Sequence, residues 1–278
     1  MIKKNRRSKN IYVKHFVLLF TIVVTTYTGS AYWQESTFYA SQVYYRYLEF
    51  YNSKINTDQK INLKSFGVTI PQQKKVVGID VSKHQLSIKW DEVAKMRVDS
   101  IKIHFAFIKA TEGITLKDIY FDKNWKAVAD NGIIRGAYHF FKPNRDAKSQ
   151  AKSFINAVTL SNGDLPPVLD VEQHGKLSAK KLRANLKIWL DIVEKQYGAK
   201  PIIYTCSGFY KTYLNSKELK KYKLWIADYK HDVLPLGDSE WHFWQHTNKG
   251  SVNGIAGNVD FNVFNGSYEE LKNICIAK

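Results

Sequence analysis

An α/β fold is predicted: a TIM-like barrel of eight strands with a reduced set of helices, preceded by an N-terminal membrane-anchor or signal helix and a stem. Three observations predict it. Short apolar, β-branched runs recur from Lys75 onward, amphipathic stretches separate several of them, and acidic residues sit at or just past the ends of three runs.

The first element is basic. Lys3, Lys4, Arg6, Arg7, Lys9 and Lys14 precede a stretch from Phe16 to Trp33 that contains no charged residue. Residues 16–33 as a helix rise about 27 Å at about 1.5 Å per residue, close to the hydrocarbon thickness of a bilayer. With the cations before it and Glu35 after it, the positive-inside rule places the N-terminus in the cytoplasm and everything after Trp33 outside. Gly29-Ser30-Ala31 also supplies the small residues that a signal peptidase inspects. Anchor and cleaved signal both stay open, and either one exports the remainder. Residues 34–75 read as a stem: Tyr44, Tyr47, Leu48 and Tyr51 recur at helical spacing, and residues 52–64 form a polar linker.

The catalytic domain is expected over residues 76–278. Its candidate strands are residues 76–81, 105–110, 133–140, 168–171, 202–205, 224–227, 242–245 and 259–263. Helical stretches lie between several of them. The clearest is 178–197, which starts on a Ser178 cap and stops at Gly198 and Pro201. Strands alternating with helices imply parallel pairing. The last three strands lie too close together for full helices between them, so the helical ring is expected to be incomplete.

In such barrels the active site forms at the carboxyl ends of the strands. The polar residues there are Asp80, Glu112, Tyr138, His139, Asp170, Glu172, Tyr204, Trp225, Asp228, Trp244, Gln245 and Asp260. Acids and aromatics together suit a carbohydrate groove. Asp170 and Glu172, two apart on a strand, point to one face about 6.6 Å apart along the backbone. Crowded carboxylates cannot all ionise cheaply, so one keeps its proton near neutral pH. A glycosidic leaving oxygen needs that proton. Glu172, with the longer side chain and beyond the strand end, is the better acid. For one acid alone, a loop cap or a solvated surface charge would explain as much. Four acids ending three strands point instead to a site.

Other classes are excluded in turn. The net charge of +17 points to anionic surroundings, but no nucleic-acid-binding motif accompanies it. His139, His242 and His246 lack a metal-binding spacing, so no metal is expected. Nucleophile elbow, phosphate-binding glycine loop and dinucleotide fingerprint are all missing, so no cofactor is expected either. Cys206 and Cys275 are too few for a disulfide framework and read as two buried thiols, with a single bridge left open.

Eight segments then resemble the family-25 glycoside hydrolases, in that family's order and across residues 76–265. They are Gly78-Ile79-Asp80-Val81-Ser82, Phe107-Ile108-Lys109-Ala110-Thr111-Glu112-Gly113, Gly136-Ala137-Tyr138-His139-Phe140, Leu169-Asp170-Val171-Glu172, Ile203-Tyr204-Thr205, Leu224-Trp225-Ile226-Ala227, Trp244-Gln245 and Asn258-Val259-Asp260. The resemblance implies lysozymes that cleave the β-1,4 bond after N-acetylmuramic acid in peptidoglycan. It implies Glu172 as proton donor, Asp170 beside the reacting sugar, and Asp80 and Asp260 in the floor. Tyr138, Tyr204, Trp225, Trp244, Gln245 and Glu112 would bind sugar. Asp228 departs from the pattern, where many relatives carry a basic or neutral residue, and this bears on the outer subsites. A non-catalytic wall-binding protein would need a broken acid pair, and the pair is intact. A hydrolase of chitin would differ only in the sugar accepted.

Overall fold

The computed structural model describes residues 60–71, 74–231, 234–236 and 240–277. The uncharged segment 16–33 and the aromatic stripe at 41–51 lie outside the described residues. Among those described, no helix is long and apolar enough to cross a membrane.

The described chain opens with a hairpin where the sequence suggests stem and linker. Strand β1 (Lys60–Leu63) pairs antiparallel with β2 (Val68–Pro71). Gly67 closes the turn at φ 65, a left-handed conformation that glycine adopts without steric cost. Leu63, Phe66 and Ile70 are fully buried. The Phe66 ring lies 5.4 Å from that of Phe261, and Ser251 N–H donates to the Phe66 carbonyl at 2.8 Å. The boundary expected at 75/76 is therefore corrected: the compact unit that carries the barrel begins at Gln59. Apolar side chains alternate on both arms, and burying that face outweighs the polar residues between them.

All eight expected barrel strands form. They are β3 (Val77–Val81), β5 (Ile101–Glu112), β7 (Ile134–Phe140), β8 (Val168–Asp170), β9 (Ile202–Cys206), β10 (Lys223–Ala227), β11 (Phe243–Gly250) and β12 (Val259–Phe264), while the short β4 (Arg97–Val98) and β6 (Leu116–Lys117) pair only with β5. The order around the barrel is β3-β12-β11-β10-β9-β8-β7-β5, closed by pairing of β3 with β5. Helices α1 (Trp90–Lys95), α2 (Phe121–Asp130), α3 (Ala147–Ala157) and α4 (Ala179–Tyr197) fill the crossovers from β3 to β9. The α4 start holds as expected: Ser178 Oγ accepts from Lys181 N at 3.3 Å, and Gly198 ends the helix at φ 69.

One strand runs against the rest. β12 pairs antiparallel with both β11 and β3, because residues 251–258 are too few for a crossover helix. The N-terminal end of β12 therefore lies at the same mouth as the C-terminal ends of the parallel strands.

Packing inside the barrel alternates large and small. Phe105 lies opposite Gly78, and Phe107 opposite Gly136. A Cβ on Gly78 would come within 2.5 Å of the Phe105 ring, and one on Gly136 within 2.6 Å of Phe107. Phe107 stacks on Trp225 at 4.3 Å, and Phe243 meets Phe105 and Phe107 edge-on at 5.2 Å each. This aromatic plug closes the interior and supports the polar layer above it.

Candidate active site

Period-two alternation builds the mouth. The positions that send Phe107, Gly136, Val168, Ile202, Phe243 and Gly78 inward carry, two residues nearer the mouth, Lys109, Tyr138, Asp170, Tyr204, Gln245 and Asp80. On the reversed strand β12, Asn262 precedes Asp260 on the way to the mouth. Asp260 pairs in register with Asp80, so two carboxyls stand opposite each other on neighbouring strands, with Cβ atoms about 5 Å apart. Glu172 lies past the end of β8, which stops at Asp170. The hydrogen bond from Val171 N–H to the Tyr204 carbonyl, at 2.9 Å, still holds the chain extended there.

Asp80 is the buried centre. Its Oδ2 accepts from Gln245 Nε2 and from Asn262 Nδ2, each at 2.8 Å. Gln245 in turn accepts through Oε1 from the Tyr204 hydroxyl at 2.9 Å and the Tyr229 hydroxyl at 2.6 Å. Asn262 accepts from Trp225 Nε1 at 2.7 Å. Each residue on this path is hydrogen-bonded to the next, so the geometry is held before substrate arrives.

Electrostatics separate the acids. Burial, then the charge of Asp260, pushes Asp80 well above the usual carboxylate range, and the two amide donors only partly offset this. Burial lifts Asp260 to about 6. The pair therefore holds a proton between its members near neutrality. Asp170 is buried and is pushed up by desolvation and then by Glu172, with Lys109 opposing. Its Oδ1 is buried without a hydrogen-bond partner. Glu172 is open to solvent on one side, while the wall of the mouth desolvates the other. Its pKa is raised by that desolvation, against the nearby Tyr204 hydroxyl and the charge of Lys109.

Of the residues expected at the site, Asp80, Asp170, Glu172, Asp260, Tyr138, Tyr204 and Gln245 come together. The pKa of Tyr138 is driven up by burial and then by Asp80, Asp170 and Asp260, which puts its ring among the acids. Trp225 is only 2% exposed and belongs to the aromatic plug, where its indole anchors Asn262. Trp244 points to the opposite face of β11 from Gln245, and its Nε1 donates to the Asp228 carbonyl at 2.8 Å. Neither indole offers a face to a sugar in the mouth. Glu112 is clamped by Lys109 at 2.6 Å and Lys142 at 2.8 Å. Burial alone would raise it, but the two cations carry it down to about 2. His139 is buried between Thr111 and Gln150 and stacks on Trp189, a structural role.

Asp228 serves the loop that follows β10. It accepts from Ser207 Oγ at 2.5 Å, from the Lys230 and His231 amides at 3.0 and 3.1 Å, and from the His231 ring. Cys206 is exposed and Cys275 half-buried, both free, which corrects the expectation of two buried thiols: Cys206 ends β9 at the open mouth. Three site residues escape the sequence reading. Asn262 and Lys109 share the inward alternation of their strands and were open to detection on that ground. Tyr229, 49% exposed with its hydroxyl on Gln245, follows a strand end and carries no periodic signal.

Comparison with known proteins shows what the chain is similar to as a whole. Residues 79–255 match Glycosyl hydrolases family 25. The chain is similar to the Escherichia coli protein YegX, 50% identical over 210 residues, covering 76% of this chain and 77% of the other. It is similar to Lysozyme M1 of Streptomyces globisporus, 36% identical and covering 70% of each. Among solved structures, a family 25 glycosyl hydrolase from Bacillus anthracis superposes with a TM-score of 0.66 at 34% identity, covering 73% of this chain and 94% of that one.

Proposed function

The chain belongs to family 25 of the glycosyl hydrolases, and on that premise we propose that it cuts the β-1,4 bond between N-acetylmuramic acid and N-acetylglucosamine in peptidoglycan, with Glu172 as general acid and Asp170 assisting. It is a glycoside hydrolase of the lysozyme class. One observation carries the assignment of roles. Among four carboxyls at one mouth, Glu172 is the exposed one, while Asp80 and Asp170 are buried and Asp260 is half-buried.

The chemistry follows from where protons rest. Glu172, whose protonated form is favoured by desolvation of its carboxyl, gives a proton to the leaving glycosidic oxygen as the bond to the anomeric carbon breaks. Asp170 Oδ1 is a buried acceptor without a partner, suited to the N–H of the substrate's acetamide. Oriented in this way, the acetamide oxygen forms the new bond to the anomeric carbon, as in substrate-assisted glycosidases. Water then opens that intermediate and returns its proton to the Glu172 carboxylate. The proton-sharing Asp80–Asp260 pair is a poor base and serves instead as a polar floor. Tyr138, Tyr204 and Gln245 complete the wall against the sugar.

Peptidoglycan lies outside the cytoplasmic membrane. The same proposal therefore has residues 16–33 export the barrel, as an uncleaved anchor facing outward or as a cleaved signal. Release of reducing ends from purified peptidoglycan and from chitin, measured side by side, tests the substrate. Hydrolysis of peptidoglycan with chitin left intact is expected, and equal cutting of both would overturn the bond assignment.

A further inference from the structure

We propose that Lys109 is a positioning residue for the two reacting acids: a β-bulge at Ala110 sets its ammonium beside Asp170 and Glu172, and a Glu112–Lys142 ion pair holds it there so that its charge divides the roles of the two carboxyls. The inference rests on the reading of Glu172 as general acid and Asp170 as its partner, and adds a residue that the chemistry above does not use.

The bulge makes the arrangement. In an even strand, residues three apart face opposite ways. On β5, Lys109 pairs with Tyr138 of β7 and Thr111 with the next residue, His139, so Ala110 is an extra residue in the ladder. Thr111 thereby turns outward, its Oγ1 2.7 Å from His139 Nδ1, and Glu112 turns to the face of Lys109, in register with Phe140. Lys109 Nζ donates to Glu112 Oε2 at 2.6 Å, and Lys142 Nζ lies 2.8 Å from Glu112 Oε1. Both ammonium groups sit over the Phe140 ring, 5.0 and 4.5 Å from its centre. The Lys109 side chain is only 12% exposed, so solvent ions screen its charge little.

That charge reaches the acids. Lys109 opposes the upward push on Asp170 and on Glu172 alike. Asp170 must be ionised to accept an acetamide N–H, yet burial and the neighbouring Glu172 favour its protonated form. The ammonium offsets them. When Glu172 releases its proton, a second negative charge appears beside the first, and the same ammonium lowers its cost. Glu112 works the other way, since its own charge favours a protonated Asp170, and so trims the effect of Lys109. The groups around Lys109 that carry or exchange charge are Glu112 on its own strand, Tyr138 and Lys142 from β7 and the loop after it, Asp170 and Glu172 from the end of β8, and Asp80 from β3. His139, on the outer face of β7, is pushed down to about 4 by burial and stays neutral near pH 7.

Titration of the acids, read without turnover, tests the proposal. Side-chain carboxyl signals of Asp170 and Glu172 in the isotope-labelled full chain are followed by NMR against pH, in wild type, Lys109→Met, Lys109→Arg and Glu112→Gln. Lys109→Met is expected to move the Asp170 midpoint up by about one pH unit, the lower end of what one adjacent cation does to a carboxyl. Lys109→Arg is expected to keep it at the wild-type position. Glu112→Gln, whose amide oxygen still accepts from Lys109, is expected to move it down. The acid limb of the pH profile of kcat/KM on purified peptidoglycan should follow in the same directions. A merely structural role would not give opposite shifts from the two halves of one ion pair. An unmoved midpoint in Lys109→Met, or shifts of one sign in Lys109→Met and Glu112→Gln, would overturn the proposal. If Lys109→Met fails to fold, an unmoved or rising midpoint in Glu112→Gln overturns it alone. Absence of wall hydrolysis by the wild type would sink the underlying reading, and the carboxyl titration would still decide the effect of Lys109.

Discussion

Replacing Asp260 with asparagine is expected to stabilise the barrel near neutral pH and to do nothing in acid. In the folded protein burial raises the Asp260 carboxyl from an ordinary 3.8 to about 6. Sign follows from linkage: the folded state holds the proton more tightly than the unfolded chain, so stability is lost as pH rises between those two values. A difference of about two pH units is worth about 3 kcal/mol at about 1.36 kcal/mol each. Partial exposure of Asp260 screens this, and about 2 kcal/mol is the working figure. The amide removes the charge and donates to Asp80 in place of the shared proton. For a domain of this size, about 2 kcal/mol raises Tm by roughly 4–8 °C. Scanning calorimetry at pH 7.5 and pH 3.5 reads the effect. The gain should be full at the higher pH and vanish at the lower. An unchanged or lowered Tm at pH 7.5, or an equal gain at both pH values, would refute the opposed carboxyl pair.

Other consequences can be measured separately. Removing residues 1–59 should leave the barrel's denaturation midpoint unchanged, whereas removing residues 1–71 should cost about 5 kcal/mol, because Leu63, Phe66 and Ile70 lose their burial; equal stability of the two truncations would make the hairpin an ornament. Asp170→Asn should slow cleavage of N-acetylated peptidoglycan far more than cleavage of the de-N-acetylated polymer, a gap read from initial rates. Equal slowing on both polymers would remove the acetamide from the mechanism.

Much of the fold was legible because β-branched runs mark barrel strands whatever their direction. All eight strands stand where residues 76–263 suggested them, and Ser178 and Gly198 bound α4 as their capping chemistry requires. Direction was not legible. Apolar content cannot tell a parallel from an antiparallel strand, so the reversal of β12, which alone brings Asp260 opposite Asp80, emerges only from the structure. The acids were found because carboxylates at strand ends are costly without a purpose. The aromatics were read less well: Trp225 lies in the middle of β10 and faces the plug, and Trp244 lies near the start of β11 and faces the outer side. Counting parity from Gln245 would have separated them. The hairpin carried its own signal in Ile61, Leu63, Val68 and Ile70 around Gly67, masked by the lysines between. Asp228, the departure from the family pattern, holds the Tyr229 loop and does not face sugar.

The role of Glu172 is the central claim, and its conservative substitution tests it most directly. Glu172→Gln keeps the side-chain shape and removes the transferable proton. Reducing-end release from purified peptidoglycan should fall by about 100-fold to 10,000-fold, the usual contribution of general acid catalysis, while the calorimetric Tm stays within about 2 °C of wild type. Activity within about threefold of wild type in a folded variant would contradict the account and move the acid to another of the four carboxyls.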